Sequence, residues 1–323
     1  MQIKSKKPLI SVVIPHLNQP DGLEACLGSL ETQTLERSAF EVIVVDNGSA
    51  QLPEAVIARY PATRLLQQSA PGPGLARNRG IEQASGDILA FIDADCRAHP
   101  DWLRSALCAF QSAPERSVLG GDVRIWRNRN MAITAIEAYE SVFAYRFKLY
   151  IEQHGFSGTG NLVVRHSDFE RVGPFRGIEV AEDIDWGQRA RAAGLTFLYV
   201  PQMIVFHPAR QSLRELFVKW DRHIQHAVNT GGKNGIWRAR WVLRAFAILI
   251  SPVVDWTKVI VSDRIDGALA RMKAIFVLAA VRAYRAYKMI SLLLWSKEVV
   301  WNRDSAIGKT DVHDDAAKTT LQG

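Results

Sequence analysis

The chain has 323 residues, 48% of them hydrophobic, with three cysteines and a formal charge of +7. That length buries one large α/β core with an appendage or two small domains, and the apolar share excludes a disordered chain. Cys26, Cys96 and Cys108 are odd in number and lack metal-type spacing, which excludes a disulfide framework and points to a reducing cytosol.

No secretory leader is expected. Lys4, Lys6 and Lys7 precede only a short apolar run, residues 9–14, which Pro15 closes. The run itself predicts a buried strand. Asp21 is the expected cap of the next helix, which carries Leu23, Leu27 and Leu30 on one face. Residues 40–45 repeat the plan and end in Asp46-Asn47-Gly48-Ser49. An acid there forms a plain turn or accepts hydrogen bonds from a base or ribose.

Residues 70–80 combine Gly72, Gly74 and two prolines in a tight loop, with Arg77, Asn78 and Arg79 at the start of a helix. The dinucleotide fingerprint needs a glycine where Arg77 stands and a place after the first strand, so a Rossmann dehydrogenase is excluded. Backbone amides and arginines at a helix start do suit an anionic nucleotide.

Residues 88–92 are wholly apolar, as for a strand buried on both faces, and lead into Asp93-Ala94-Asp95. Acids beyond the carboxyl end of such a strand face a crevice. Two carboxylates this close repel unless a cation lies between them. Mg²⁺ or Mn²⁺ fits oxygen ligands and would in turn hold phosphate oxygens. Alone, the pair reads more readily as a solvated turn, and it is the neighbouring motifs that reverse this. Cys96 reads as a small packing residue.

Pro100 opens a helix bearing Leu103, Leu107 and Phe110, and residues 117–126 resume strand character. Residues 131–153 hold Tyr139, Phe143, Tyr145, Phe147 and Tyr150, read as a helix packing its face, with a sugar-stacking platform as the alternative. Gly158-Thr159-Gly160-Asn161 precedes a short strand at 162–164, Ser167 to Glu170 form a capping box, and Gly173 ends that helix. Glu182, Asp183 and Asp185 open a further helix that stops at Gly194, where acids also suit the helix dipole. They fan around the axis, so one or two at most face a crevice. Residues 195–206 are strand-like, interrupted by Pro201, and deliver His207, a ligand or an ordinary strand-end histidine.

Together these stretches resemble the family 2 glycosyltransferases, inverting enzymes of the GT-A fold. The resemblance covers residues 10–207: Ser-Val-Val-Ile-Pro15, Asp46-Asn-Gly-Ser, Gly74-Leu-Ala-Arg77-Asn78-Arg-Gly80, Asp93-Ala-Asp95, Gly173-Pro-Phe175, Glu182-Asp183-Ile-Asp185 and His207. It implies a Rossmann-like mixed sheet flanked by helices and a nucleotide diphosphate sugar donor. Pro15, Asp46, Arg77 and Asp93 would bind that nucleotide sugar. Asp95, Asp93 and His207 would hold a divalent cation, Mg²⁺ or Mn²⁺, and Asp183 would be the general base. Processive synthases carry Gln-x-x-Arg-Trp; here Gln211-Ser-Leu-Arg214 is followed by Glu215, which implies transfer of one sugar, then release. The acceptor would be a saccharide or lipid-linked glycan.

Residues 203–300 carry 16 Lys and Arg against 6 Asp and Glu, so the basicity belongs to the C-terminal third. Ser212 to Glu215 form another capping box, and Leu213, Leu216, Phe217, Trp220, Ile224 and Ala227 follow helical spacing. Apolar clusters at 245–254, 274–281 and 289–295 are each too short to span a bilayer. They predict helices lying on an anionic membrane surface, with packing on the catalytic domain as the alternative; nucleic acid fits the apolar content less well. The expected organisation is a catalytic domain at 1–210, a membrane-associated helical region at 211–301 and a polar disordered tail at 302–323, in a peripheral protein of the inner membrane face. A sugar-phosphate nucleotidyltransferase would need a Gly-rich, basic loop where His16-Leu17-Asn18-Gln19 stands. A non-catalytic scaffold would not need Asp93, Asp95 and Asp183 intact.

Overall fold

The computed structural model describes residues 7–128, 130–229 and 235–294, so the expected tail at 302–323 lies outside the described residues. Its strands are β1 (Ile10–His16), β2 (Phe40–Asp46), β3 (Thr63–Gln67), β4 (Ile88–Ile92), β5 (Arg97–Ala98), β6 (Ser117–Trp126), β7 (Asn161–Arg165) and β8 (Thr196–Pro208). They form one sheet in the order β3-β2-β1-β4-β7-β6-β8-β5. The first four pair in parallel. Strand β7 is antiparallel to β4 and β6, and β6 runs parallel to β8. The result is the expected mixed sheet.

Strand β1 does not stop before Pro15 but runs through it to His16. Its pairing with β4 ends at Val13, while its pairing with β2 continues to His16. In a parallel strand alternate residues point their amides to opposite neighbours, and the His16 carbonyl accepts from Asn47 on the β2 side. The missing N–H of Pro15 therefore falls on the β4 side, where no partner strand remains. Strand β3 was not legible in the sequence, because an edge strand reading Thr-Arg-Leu-Leu-Gln lacks a continuous apolar run.

Helix α1 (Pro20–Glu31) starts at its proline, with Gln19 as the N-cap, so Asp21 lies in the first turn and caps nothing. The short α2 (Glu54–Ile57), then α3 (Pro73–Ile81) and α4 (Trp102–Ser112), complete the first half. Alternation splits the core. Ile10, Val12, Ile14, Ala90 and Ile92 pack against Leu23, Leu27, Trp102 and Leu103 of α1 and α4. Val13, Leu89 and Phe91 face the other side, against Phe169, Phe175 and Trp186. Strand β4 is thus sandwiched, as its composition required.

Asn161, wholly buried, is a fully bonded hub between the halves. Its Oδ1 accepts from Trp102 Nε1 at 2.9 Å, and its Nδ2 donates to the carbonyls of Asp122 (3.0 Å) and Met203 (2.8 Å). In β8 the register jumps, with Val200 opposite Gly121 and Ile204 opposite Asp122, and this bulge admits Pro201 without ending the strand.

Residues 131–153 are not one helix. A Thr134–Glu137 capping box starts α5 (Ala135–Phe143), and after Tyr145 (φ +46°) comes α6 (Phe147–Leu149), which passes into a π-helical turn at Tyr150–His154. Helix α7 (His166–Val172) begins before Ser167, so the expected capping box is absent; Gly173 (φ +88°) does end it. Helix α8 (Glu182–Ala192) follows. At the start of α9 (Leu213–Asn229), Ser212 Oγ accepts from Glu215 N–H at 3.3 Å. The return bond comes from Gln211 N–H instead of Ser212, so the box is shifted by one residue.

Helices α10 (Gly235–Ile250), α11 (Pro252–Ile260) and α12 (Ala268–Leu294) complete the described chain. Helix α12 packs Val277, Leu278 and Val281 against Ile136 and Tyr139 of α5 and Leu216 of α9. Asp255 is buried between Lys258 (2.6 Å) and Arg282 (2.8 Å). The C-terminal helices therefore do dock on the sheet domain, through α5. No described helix is long and apolar enough to cross a membrane.

Candidate active site

The loops beyond β1, β2 and β4 meet α8, the segment after α5, and α9 around a cavity of about 630 Å³, a size that suits a nucleotide-sized ligand. Its walls are built from distant segments.

At one end Asp46 is 1% exposed, and its oxygens are already engaged. Oδ1 accepts the amides of Gly48 (3.1 Å) and Ser49 (3.0 Å), and Oδ2 lies 2.9 Å from His16 Nδ1. The Gln19 amide donates to His16 Nε2 at 3.3 Å, so the imidazole proton sits on Nδ1 and is given to Asp46. Burial opposes the charged carboxylate, but the bonds from Ser49 and His16 outweigh it and hold the Asp46 pKa below the ordinary value. It is His16, Pro15 and Asn47 that line the cavity here; Asp46 stands behind them. Asn47 ties the strand ends together, donating to the Gln68 and Ala70 carbonyls and accepting from Gly72 N–H.

Arg77 enters from α3 and is 2% exposed. It donates to Asp93 Oδ1 at 2.6 Å and lies 3.3 Å from Glu182 Oε1, so it clamps the end of β4 to the start of α8. Its Nε is buried without a partner. Asn78 exchanges two hydrogen bonds with the backbone of Phe175 (2.8 and 2.9 Å), which holds the Gly173 turn against α3. A Cβ at Gly160 would lie 2.7 Å from Asp93 Oδ2 and displace that carboxylate.

Asp95 faces His207, brought by β8, with Oδ2 at 3.4 Å from Nε2. His207 Nδ1 donates to the Pro208 carbonyl at 2.6 Å, so Nε2 is the ring nitrogen turned to the Asp95 carboxylate. A carboxylate oxygen and an imidazole nitrogen that converge in this way are donor types a divalent cation takes. Asp95, His207 and the Cys96 sulfur lie within 4.8 Å of one another. Cys96 is 1% exposed, its pKa raised by burial and by Asp95 and Asp93, and it lies 3.6 Å from Asp95 Oδ1 as a neutral thiol. Oxygen and imidazole donors without thiolate fit Mg²⁺ or Mn²⁺. Tyr145 lies tilted against the His207 ring, 4.7 Å between centres, and, with Phe147 and Tyr150, lines the cavity; Tyr139 and Phe143 pack instead. The core reading of the aromatic segment thus holds for only part of it.

The acidic cluster separates cleanly. Asp185 is held by Arg176 and Arg189, both at 2.9 Å, away from the cavity. Glu182 is engaged by Arg77. Asp183 lines the cavity and forms no ion pair among the described residues. Burial and the neighbouring Glu182 raise its pKa to about 6, against the lowering effects of the Ile184 amide and Arg77. Gln211 and Arg214 do not line the cavity. Lys219, Arg222 and His223 of α9 do, and were not anticipated; their i, i+3, i+4 spacing was the available signal.

Parallel strands ending in paired acids, a basic helix start and a second acidic helix start, around one cavity, define a GT-A type glycosyltransferase. Glycosyl transferase family 2 matches residues 11–178, and the chain belongs to that family. Membership removes the nucleotidyltransferase reading. Glycosyltransferase AglE of Haloferax volcanii is 34% identical over 212 residues, 64% of this chain and 69% of that one. The amylovoran biosynthesis glycosyltransferase AmsB of Erwinia amylovora is 29% identical over 207 residues, 59% of this chain and 67% of that one. Among solved structures, the mannosyltransferase PcManGT of Pyrobaculum calidifontis, in complex with GDP-Man and Mn²⁺, aligns with a TM-score of 0.55 at 18% identity. The alignment covers 91% of this chain and 89% of that one, and at this identity it speaks to the fold alone.

Proposed function

We propose that the chain is a metal-dependent, inverting hexosyltransferase that moves one sugar from a nucleotide diphosphate sugar to an acceptor hydroxyl, in polysaccharide or lipid-linked glycan assembly. The observation that carries this reading is the separation of the acids: alone of its cluster Asp183 has no ion pair among the described residues, and it lines one cavity with Asp93, Asp95 and His207. Pro15 and Asn47 are assigned to the nucleotide base, with Asp46 acting through His16 and the Gly48-Ser49 turn. Arg77 holds Asp93 for the ribose or metal. Asp95 and His207, with Asp93 beside them, would hold Mg²⁺ or Mn²⁺, which when bound supplies Lewis-acid neutralisation of the departing diphosphate. Asp183 takes the acceptor proton as the hydroxyl oxygen bonds to the anomeric carbon and the bond to the diphosphate breaks on the opposite face.

A thermal-shift panel of nucleotide sugars with Mn²⁺ tests the donor assignment. A matching donor at 100 times its Kd should add about 2.7 kcal/mol, a rise of a few degrees. If no nucleotide sugar shifts the transition, the donor assignment fails.

The same reading takes the protein to an anionic membrane on the cytoplasmic side, where its free cysteines stay reduced. Helix α10 exposes Ile236, Leu243, Phe246 and Ile250 at helical spacing, and α12 exposes Leu269, Met272 and Phe276. Arg238, Arg240, Arg244 and Lys258 are exposed on α10 and α11. Each cation at an anionic leaflet contributes about 1 kcal/mol. The protein should float with vesicles containing anionic lipid, less so as salt is added. Equal flotation with neutral vesicles at low salt would contradict the electrostatic part.

A further inference from the structure

Lys219 and Arg222 bring cationic side chains to the cavity that the chemistry above does not use. Lys219, Arg222 and His223 share one face of α9 and all line the cavity. The other polar groups near this helix are committed elsewhere. Glu140, 1% exposed, is bound by the Arg210 guanidinium and by Arg210 N–H at 2.8 Å. Asp221, on another face of α9, accepts from Tyr284 at 2.9 Å and pairs with Lys288 at 3.4 Å. Lys219 has no carboxylate within 4 Å among the described residues; its ammonium stands 5.7 Å from the centre of the Tyr145 ring. That ring lies tilted against His207, which faces Asp95, so Lys219 is two side chains from the metal carboxylate.

Such an arrangement is costly without a ligand. Burial, then the charges of Arg210, Arg222 and Arg285, against Glu140, lower the Lys219 pKa to about 8. Burial and the neighbouring cations lower that of His223 to about 4. A desolvated ammonium is ordinarily matched by an anion, and among the described residues none lies within 4 Å of Lys219. The opening beside it is the substrate cavity.

We propose that Lys219, flanked by Arg222 and His223, forms a phosphate subsite on α9, distinct from the metal carboxylates. Two substrates could bring that phosphate: the diphosphate of the donor, or a phosphate carried by a lipid-linked acceptor. Only the donor alternative rests on the nucleotide-sugar reading of the cavity.

The test is calorimetric titration of the full chain and of its Lys219→Gln and Lys219→Arg variants. Pyrophosphate in EDTA probes the cations without the metal site; UDP and GDP with Mn²⁺ probe the donor; geranyl phosphate, with geraniol as the uncharged control, probes the acceptor. Removing a charged hydrogen-bond donor should weaken pyrophosphate on the order of tenfold to a hundredfold, and Lys219→Arg should retain most of the affinity. A matching loss for UDP or GDP assigns the donor diphosphate. A loss for geranyl phosphate alone assigns the acceptor. Wild-type protein that binds pyrophosphate but neither nucleoside diphosphate would undo the donor reading and keep the subsite. The subsite is overturned if wild-type protein binds none of the phosphates, or if Lys219→Gln, folded by its melting transition, binds them all equally well.

Discussion

Asp183→Asn should abolish transfer, lowering kcat by roughly 10²–10⁴-fold while leaving donor and metal affinity close to native. The amide keeps the shape and the bond from the Ile184 amide, and loses only the ability to take a proton. An acceptor hydroxyl becomes acidic only as it attacks, so a weak base suffices if it is positioned and ionised at that moment. With its pKa near 6, Asp183 is mostly ionised at neutral pH, and kcat/KM should fall as the pH drops through about 6. Stability should move the other way. A carboxyl whose folded pKa is raised contributes stability while protonated, and that contribution is lost as the pH rises through about 6. The variant escapes this loss, so at neutral pH it should melt no lower than the native chain. Asp185→Asn should behave oppositely, losing its contacts to Arg176 and Arg189, and so stability, with kcat largely kept. Near-native transfer by Asp183→Asn, measured with the same donor affinity, would move the base elsewhere and remove the main support for inversion.

Asp95→Ala should cost about as much by another route. Leaving-group stabilisation by a bound divalent ion is worth several kcal/mol, so a loss on the order of 10³-fold in turnover is expected. Asp93 cannot easily substitute, because its Oδ1 is held by Arg77 at 2.6 Å. The variant should also lose the rise in melting temperature that Mn²⁺ gives the native chain, which reads the site without any turnover. EDTA should silence the native enzyme and added Mg²⁺ or Mn²⁺ restore it. His207→Ala should be milder, removing one neutral ligand. Full activity in chelator, with metal analysis showing none bound, would sink the metal assignment.

Most of the sheet was legible because β1, β2, β4 and β7 are buried on both faces, whereas the edge strand β3 is not. Residues 88–92 fit a sandwiched strand, and the acids after them then fall at its carboxyl end. Family order was legible for the same reason, since each motif sits where an apolar run stops. Local capping was read less well: Ser167 proved to be inside its helix and Asp21 behind a proline that already started one. Such contests between neighbouring residues turn on small differences that tertiary packing overrides.

The roles within each motif depended on partners far along the chain. Nothing near residue 185 announces that Arg176 and Arg189 will both take its carboxylate, leaving Asp183 to the cavity. Asp46 reads as an exposed acceptor until the tertiary structure brings His16 beneath it, 30 residues away. Tyr139 and Tyr145 are equivalent in sequence, yet the break at φ +46° turns one into the core and the other onto His207. The cations of α9 share a face by their spacing, but it is the packing of α12 and α5 that rotates that face toward the acids. By itself the sequence determined most of the sheet, the family and the acids; only the tertiary structure decided which acid stays out of an ion pair among the described residues and which charges share its cavity. The physical reason is range: burial patterns are written in neighbouring residues, whereas a carboxylate's partner, and hence its pKa, is chosen by whatever the fold brings within about 4 Å.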